Sequence, residues 1–247
     1  MKFDVGFMLE ALLEILKVAP LTLEITVVSF LISLAIALAV ALVRIYRIRI
    51  ISYIADFYVS FIRGTPLILH IFITLFGLPR FVDLLASLLH LPVDGGDIPA
   101  LALFFIAFSI NGGAYLSEVV RSGILAVDKG EIDAAHSLGM TTFQVMRRVT
   151  IPQALIVSLP NICNSIIGML QGSSLAYFVG ITEMTTMGYI LGGNNWLYFE
   201  AFVAAALIYW AITIVIEQAM LFLERRLNKN RTVFGTRSTR VTVNTQI

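Results

Sequence analysis

The sequence predicts an all-α, polytopic membrane protein with about five transmembrane helices. Of its 247 residues, 58% are hydrophobic and only 13% charged, where an ordinary globular domain is about 45–50% apolar and about 25% charged. Mean hydropathy is +0.90. Five apolar runs also reach the length of about 20 residues that a helix needs to cross the hydrocarbon core of a bilayer.

The elements follow in order. In residues 1–20, Phe7, Met8, Ala11, Leu12, Ile15 and Leu16 recur at helical spacing with no small-residue cleavage site behind them. This reads as an N-terminal amphipathic segment lying at the membrane surface. Residues 21–225 hold the spans. The first is Ile25–Val43, free of charge. The second is Tyr53–Leu78, with a break expected at Arg63-Gly64-Thr65-Pro66, where Pro66 removes a donor and Gly64 loosens the backbone. Phe81, Leu84, Leu85, Leu88 and Leu89 mark a short amphipathic helix, and Pro92, Gly95, Gly96 and Pro99 a turn-rich connector. The third span is Ile98 to Leu125 and the fourth Ala154–Ile181. Leu191–Trp196 reads as a loop, with Trp196 and Tyr198 placed as an interfacial belt. The fifth span runs from Tyr198 to Ile216, with an amphipathic continuation to Leu223, and residues 226–247 form a basic C-terminal tail.

Charge orients the chain. Arg44, Arg47 and Arg49 follow the first span, Lys129, Arg147 and Arg148 lie between the third and fourth, and Arg225, Arg226, Lys229, Arg231, Arg237 and Arg240 follow the fifth. The opposite side has Lys2, Lys17 and Arg80. The positive-inside rule then puts the N-terminus outside and the C-terminus in the cytoplasm. The tail fits two roles, binding of anionic membrane lipid or simple fixing of topology.

Several activities are excluded or unsupported. There is no Gly-x-x-x-x-Gly-Lys-[Ser/Thr] loop, so the chain does not hydrolyse ATP itself. His70, His90 and His136 lack metal-ligand spacing, and Cys163 is the only cysteine. No nucleophile or acid–base constellation is present, and nothing points to a nucleic-acid partner. What remains is polar residues inside spans. Asn111, Tyr115, Glu118 and Ser122 fall on one helical face. So do Asn164, Gln171 and Ser174, with Ser173 beside them. Each stripe has two readings: the lining of a solute pathway, or hydrogen bonding between packed helices, with Glu118 paired to Arg121 or Arg63.

Residues 129–160 carry the most specific signal. Asp133 is placed to cap a short helix opening with Ala134-Ala135-His136, Gly139 suits its end, and a second short turn runs from Thr141 to Arg148 toward Pro152. The order Asp133-Ala134-Ala135, Gly139, Ile151-Pro152 resembles the EAA loop of ATP-binding-cassette importer permeases, with Asp in place of Glu at the first position. Four further segments stand in the order seen in the polar amino-acid permeases of the histidine/glutamine type. They are Arg63-Gly64-Thr65-Pro66-Leu67, Asn111-Gly112-Gly113-Ala114-Tyr115-Leu116-Ser117-Glu118, Ile151-Pro152-Gln153-Ala154-Leu155 and Ser173-Ser174-Leu175-Ala176. The match runs from about residue 20 to 225. One departure is Gln171-Gly172, where that family often carries Lys-Asp.

The resemblance implies a multi-pass permease of the bacterial plasma membrane with a cytoplasmic coupling helix formed by Asp133, Ala134, Ala135, His136 and Gly139. Its partners would be an ATPase subunit that binds the ATP and magnesium, a second permease copy or sister permease, and an extracytoplasmic solute-binding protein. Asn111, Tyr115, Glu118, Asn164, Gln171, Ser173 and Ser174 are the candidate pathway residues. The uncharged fourth span leans toward a polar or zwitterionic amino acid such as cystine. The alternative is an ion-gradient secondary transporter or channel, which explains the polar stripes but not the Asp133–Pro152 segment.

Overall fold

A computed structural model of the protein describes residues 3–229. The expectations for Lys2 and for residues 230–247 lie outside the described residues. The elements are α1 (Val5–Ile45), α2 (Arg49–Gly64), α3 (Leu67–Leu89), α4 (Ala100–Leu125), α5 (Lys129–Ser137), α6 (Thr142–Val145), α7 (Ile151–Gly172), α8 (Met184–Asn195) and α9 (Tyr198–Lys229), with short 3₁₀ turns at Gly95–Asp97 and Ser173–Val179. Five helical stretches are long and apolar enough to cross a membrane: Val5–Ile45, Leu67–Leu89, Ala100–Leu125, Thr142–Val179 and Tyr198–Leu227.

α4 is the hub. Buried residues make up 61% of its apolar window and 11–33% of the other four. It packs alongside α1 through small side chains. Ser29, Ser33, Ala37 and Ala41 recur every fourth residue on α1 and are buried, and a Cβ added to Gly112 or Gly113 of α4 would stand 2.4 Å from Ser33 Oγ or 2.7 Å from Ile36 Cγ2. Small residues at that spacing let two backbones approach closely where lipid offers no hydrophobic drive. Ser33 Oγ donates to the Ser109 carbonyl and Arg44 reaches Glu118, so α1 and α4 run parallel. α7 runs antiparallel to α4, its start near Gly123 and its end near Phe108. Phe104, Phe108, Ile71, Met169 and Ala176 fill the space among them.

The structure corrects four element boundaries. The N-terminal segment and the first span are one helix of 41 residues, about 60 Å long at 1.5 Å per residue. Ala11, Ile15 and Ala19 do not face a membrane surface; they are buried against Met184, Ala204, Ala205 and Ile208. The expected second span is two helices. Thr65, forced toward extended backbone by the following proline (φ −128°, ψ 149°), ends α2, and α3 restarts at Leu67 and absorbs the expected helix at 81–89. The fourth span begins at Thr142. Leu191–Asn195 is the last part of α8, not a loop.

Candidate functional site

The loop between α4 and α7 folds into a small helical knob. Asp128, not Asp133, is the N-cap of α5: its carboxylate accepts from the Gly130 amide at 2.6 Å. The switch follows from spacing, since Asp128 precedes the helical run and Asp133 falls within it. At the other end Gly139 adopts φ +81°. Its amide donates to the His136 carbonyl at 2.9 Å and that of Met140 to the Ala135 carbonyl at 3.2 Å, the paired bonds of a Schellman end. Thr141 then caps α6 reciprocally with Gln144. A π turn at Met146–Thr150 leads into α7. The wider turn accommodates Pro152, which has no N–H and whose ring would press on the carbonyl four residues earlier. Gln153 of α7 donates to Glu131 of α5, tying the knob to the helix it precedes.

Asp133, Ala134, His136 and Gly139 are exposed on this knob, while Ala135 is buried and seats it. The largest apolar tips are residues to which sequence reasoning gave no role: Leu138 is 84% exposed and Phe143 73%. These two side chains flank the glycine turn and give the knob an apolar tip.

α4 and α7 also wall a cavity of about 350 Å³, lined by Asn111, Tyr115, Asn164 and Ser165 with Leu67 and Phe108. Asn111 is held from behind. Its Nδ2 donates to His70 Nδ1 at 2.9 Å. Thr65 Oγ1, which donates to the Phe61 carbonyl, accepts from His70 Nε2 at 2.6 Å. That chain of bonds assigns the Nε2–H tautomer to His70. It links α2, α3 and α4 at the break in the second span, through a histidine that the sequence did not single out.

Glu118 sits one turn below Tyr115, outside the cavity lining. Its Oε1 accepts from Arg44 Nη1 at 2.6 Å, and its Oε2 from Arg121 Nε at 3.1 Å and Nη2 at 2.9 Å. Arg63 Nη1 approaches Oε1 at 3.7 Å. Arg44 also donates to Asp56 at 2.6 Å. The sequence offered Arg121 and Arg63 as partners; Arg44, 74 positions away, it could not offer.

Gln171 and Ser174 face a different space. They line a groove of about 500 Å³ with Thr185, Tyr209, Trp210 and Thr213 on the α8–α9 side. Beneath it Glu183, fully buried, caps α8 and accepts from Tyr209 Oη at 2.8 Å. Ser173 lines neither space: it is fully buried and its hydroxyl donates to the Leu170 carbonyl at 2.6 Å. Of the seven candidate pathway residues, Asn111, Tyr115 and Asn164 come together, Gln171 and Ser174 form a second group, and Glu118 and Ser173 stand apart. On α7 itself, Asn161, Asn164, Gly168 and Gln171 make one exposed, uncharged polar stripe. Among the described residues no group of His, Cys, Asp and Glu is placed to hold a metal ion.

Residues 20–229 match the family described as binding-protein-dependent transport system inner membrane component. The chain is similar to a Vibrio harveyi protein named as a probable amino-acid ABC transporter permease, PatM, with 33% identity over 229 residues covering 93% of this chain and 98% of that one. It is 31% identical over 230 residues to the L-cystine transport system permease TcyL of Bacillus subtilis (strain 168), covering 93% and 94%. A solved structure described as an amino acid ABC transporter with histidines matches with a TM-score of 0.79 at 33% identity, over 92% of this chain and 100% of that one.

Proposed function

The chain belongs to the family of binding-protein-dependent transport system inner membrane components, and on that premise we propose that it carries an amino acid through the membrane as the permease subunit of an ATP-driven importer. One observation carries the reading: the two helices that wall the cavity around Asn111, Tyr115 and Asn164, α4 and α7, are the two that the knob joins. A partner ATPase that grips Leu138 and Phe143 therefore pulls directly on the cavity walls. Rigid-body rocking of this kind exposes a site alternately to the two sides. The ATPase binds the ATP and magnesium; this chain supplies the lever and the path.

The lining supports an uncharged or zwitterionic polar solute, held by Asn111, Tyr115 and Asn164. Cystine fits that chemistry, and the permeases TcyL and TcyB of Bacillus subtilis are named for cystine transport. The polar stripe on α7 is costly against lipid, which supports a second permease copy or a sister subunit across a shared pathway. A solute-binding protein on the outer side would deliver the substrate.

Two measurements test this. Copurification from native membranes should return a P-loop ATPase, and labelled cystine should accumulate only when that ATPase is active. Asn164→Ala should raise the KM for uptake by roughly tenfold, the scale of one or two lost hydrogen bonds, with the ATPase still bound. An unchanged KM removes Asn164 from the path.

A further inference from the structure

We propose that His70 is a positioning residue that turns the Asn111 oxygen into the cavity, where it receives the α-ammonium group of the solute; this rests on the cavity being the solute site. Counting protons along the hydrogen-bond chain gives its direction. The far end is the Phe61 carbonyl, which can only accept. Thr65 spends its one hydroxyl proton there, at 2.7 Å. Its oxygen, 2.6 Å from His70 Nε2, has nothing left to donate and must accept. The ring is buried, and among the described residues no carboxylate is bonded to it. Nothing there offsets the cost of a charged ring, so it carries one N–H, at Nε2. Nδ1 then holds a lone pair, and the Asn111 amide 2.9 Å away meets it with N–H. Groups from α2, α3 and α4 thus fix one orientation of one amide.

With Nδ2 turned to His70, Oδ1 is the end of Asn111 left for the cavity. Among the described residues no donor meets it. The fully enclosed side-chain oxygens without a partner are those of Ser29 and Ser109, so Oδ1 is open to the space that Asn111 lines. Asn111 itself is only 8% exposed, and an acceptor so deep in a membrane domain is costly until a donor arrives. Ser165 on α7 repeats the pattern: its hydroxyl donates to the Asn161 carbonyl at 2.9 Å, which leaves its oxygen only to accept. No ionised side chain lines the cavity. Two oxygens that can only accept select a group rich in N–H. In an amino acid that group is the α-ammonium, and Tyr115 and Asn164, whose donors are unspent, are left for the carboxylate. A side-chain amide or guanidinium offers similar N–H groups, so the probes below differ at the α-nitrogen alone.

The test is equilibrium binding of labelled L-cystine, L-glutamine and L-arginine to the full chain in lipid nanodiscs, each competed with its analogue lacking the α-amino group. The wild-type chain should prefer the amino acid by about tenfold or more, the scale of one charge-assisted hydrogen bond. Thr65→Val removes the acceptor behind Nε2 without touching the cavity lining. The ring proton then moves to Nδ1, the Asn111 oxygen turns toward it, and the preference should vanish by weakening the amino acid alone. His70→Gln should keep the preference, because a glutamine amide accepts with oxygen and donates with nitrogen in the same order. Asn164→Ala should weaken amino acid and analogue alike. Nitrogen NMR of histidine-labelled chain supplies a readout that a merely structural role would not move. The signal lost in His70→Gln should report Nε2–H in the wild-type chain and Nδ1–H in Thr65→Val. An Nδ1–H or doubly protonated ring in the wild-type chain overturns the proposal, as does equal binding of amino acid and analogue, even if no variant folds. Equal losses of both in Thr65→Val, or a lost preference in folded His70→Gln, overturn it as well. Failure of every probe to bind, or an inert Asn164→Ala, removes the cavity reading itself; an inert Thr65→Val beside a weakened Asn164→Ala removes only the role given to His70.

Discussion

Gly139 needs no space and much freedom. A Cβ there would meet nothing within 4 Å, yet its φ is +81°. A β-branched residue in that region costs about 1–3 kcal/mol of backbone strain. We expect Gly139→Val to insert and assemble but to uncouple ATP hydrolysis from uptake, and Gly139→Asn, which tolerates the left-handed region, to stay coupled. Paired ATPase and uptake assays decide; coupled uptake by the valine variant removes the knob from the mechanism. Gly139 was legible in the sequence because a glycine after a helical run is a local signal. The Arg44–Glu118 pair was not, since nothing local announces a partner 74 positions away. Ser173, placed beside the Asn164, Gln171 and Ser174 face by sequence neighbourhood alone, is fully buried instead. Its hydroxyl satisfies the chain's own Leu170 carbonyl.

Helices in this protein are spaced by what they lack. At the α4–α7 contact, a Cβ on Gly123 would stand 1.8 Å from Ser158 Oγ and 3.0 Å from the Ala154 carbonyl. Gly123→Ala must displace the Ser158 hydroxyl and crowd the Ala154 carbonyl between the two cavity walls, at about 1–3 kcal/mol for overpacking. The expected outcome is a lower melting temperature in detergent together with weaker solute binding, and Gly123→Ala, Ser158→Gly should recover part of both. A single variant with wild-type stability would show that the helices already separate freely. Apolar length made the spans legible. α8 was not, because Gly192-Gly193-Asn194-Asn195 has the composition of a loop. It is helical for tertiary reasons: buried Glu183 caps its start, and Gly192 lies against Tyr198, where a Cβ would come within 2.8 Å. The continuity of α1 through Pro20 was hidden in another way: the periodic face of its first half, Phe7, Ala11 and Ile15, was legible, but not that α8 and α9 cover it.

Across the whole molecule the arginines converge. α1, α4 and α9 run toward the knob end and α7 away from it, so Arg44, Arg47, Arg49, Lys129, Arg147, Arg148, Arg225 and Arg226 gather at that end, with Lys17 and Arg80 elsewhere. We expect the knob end to be cytoplasmic. A reporter active only in the cytoplasm should be active when fused after Ile247 and silent when inserted at Gly95; the reverse pattern would take the knob away from any ATPase. The π turn at Met146–Thr150 adds a matter of phase. It takes up one extra residue within a single wide turn, where an α-helix would advance by roughly 100° for that residue, so Leu138 and Phe143 keep their bearing relative to the stripe of Asn161, Asn164, Gly168 and Gln171. Deleting one residue from the α-helical start of α7, where no wide turn takes up the change, would swing the knob by roughly 100° about α7 while leaving every cavity-lining side chain in place. Such a variant should bind solute normally and fail to transport it, as a crank does when keyed to the wrong angle.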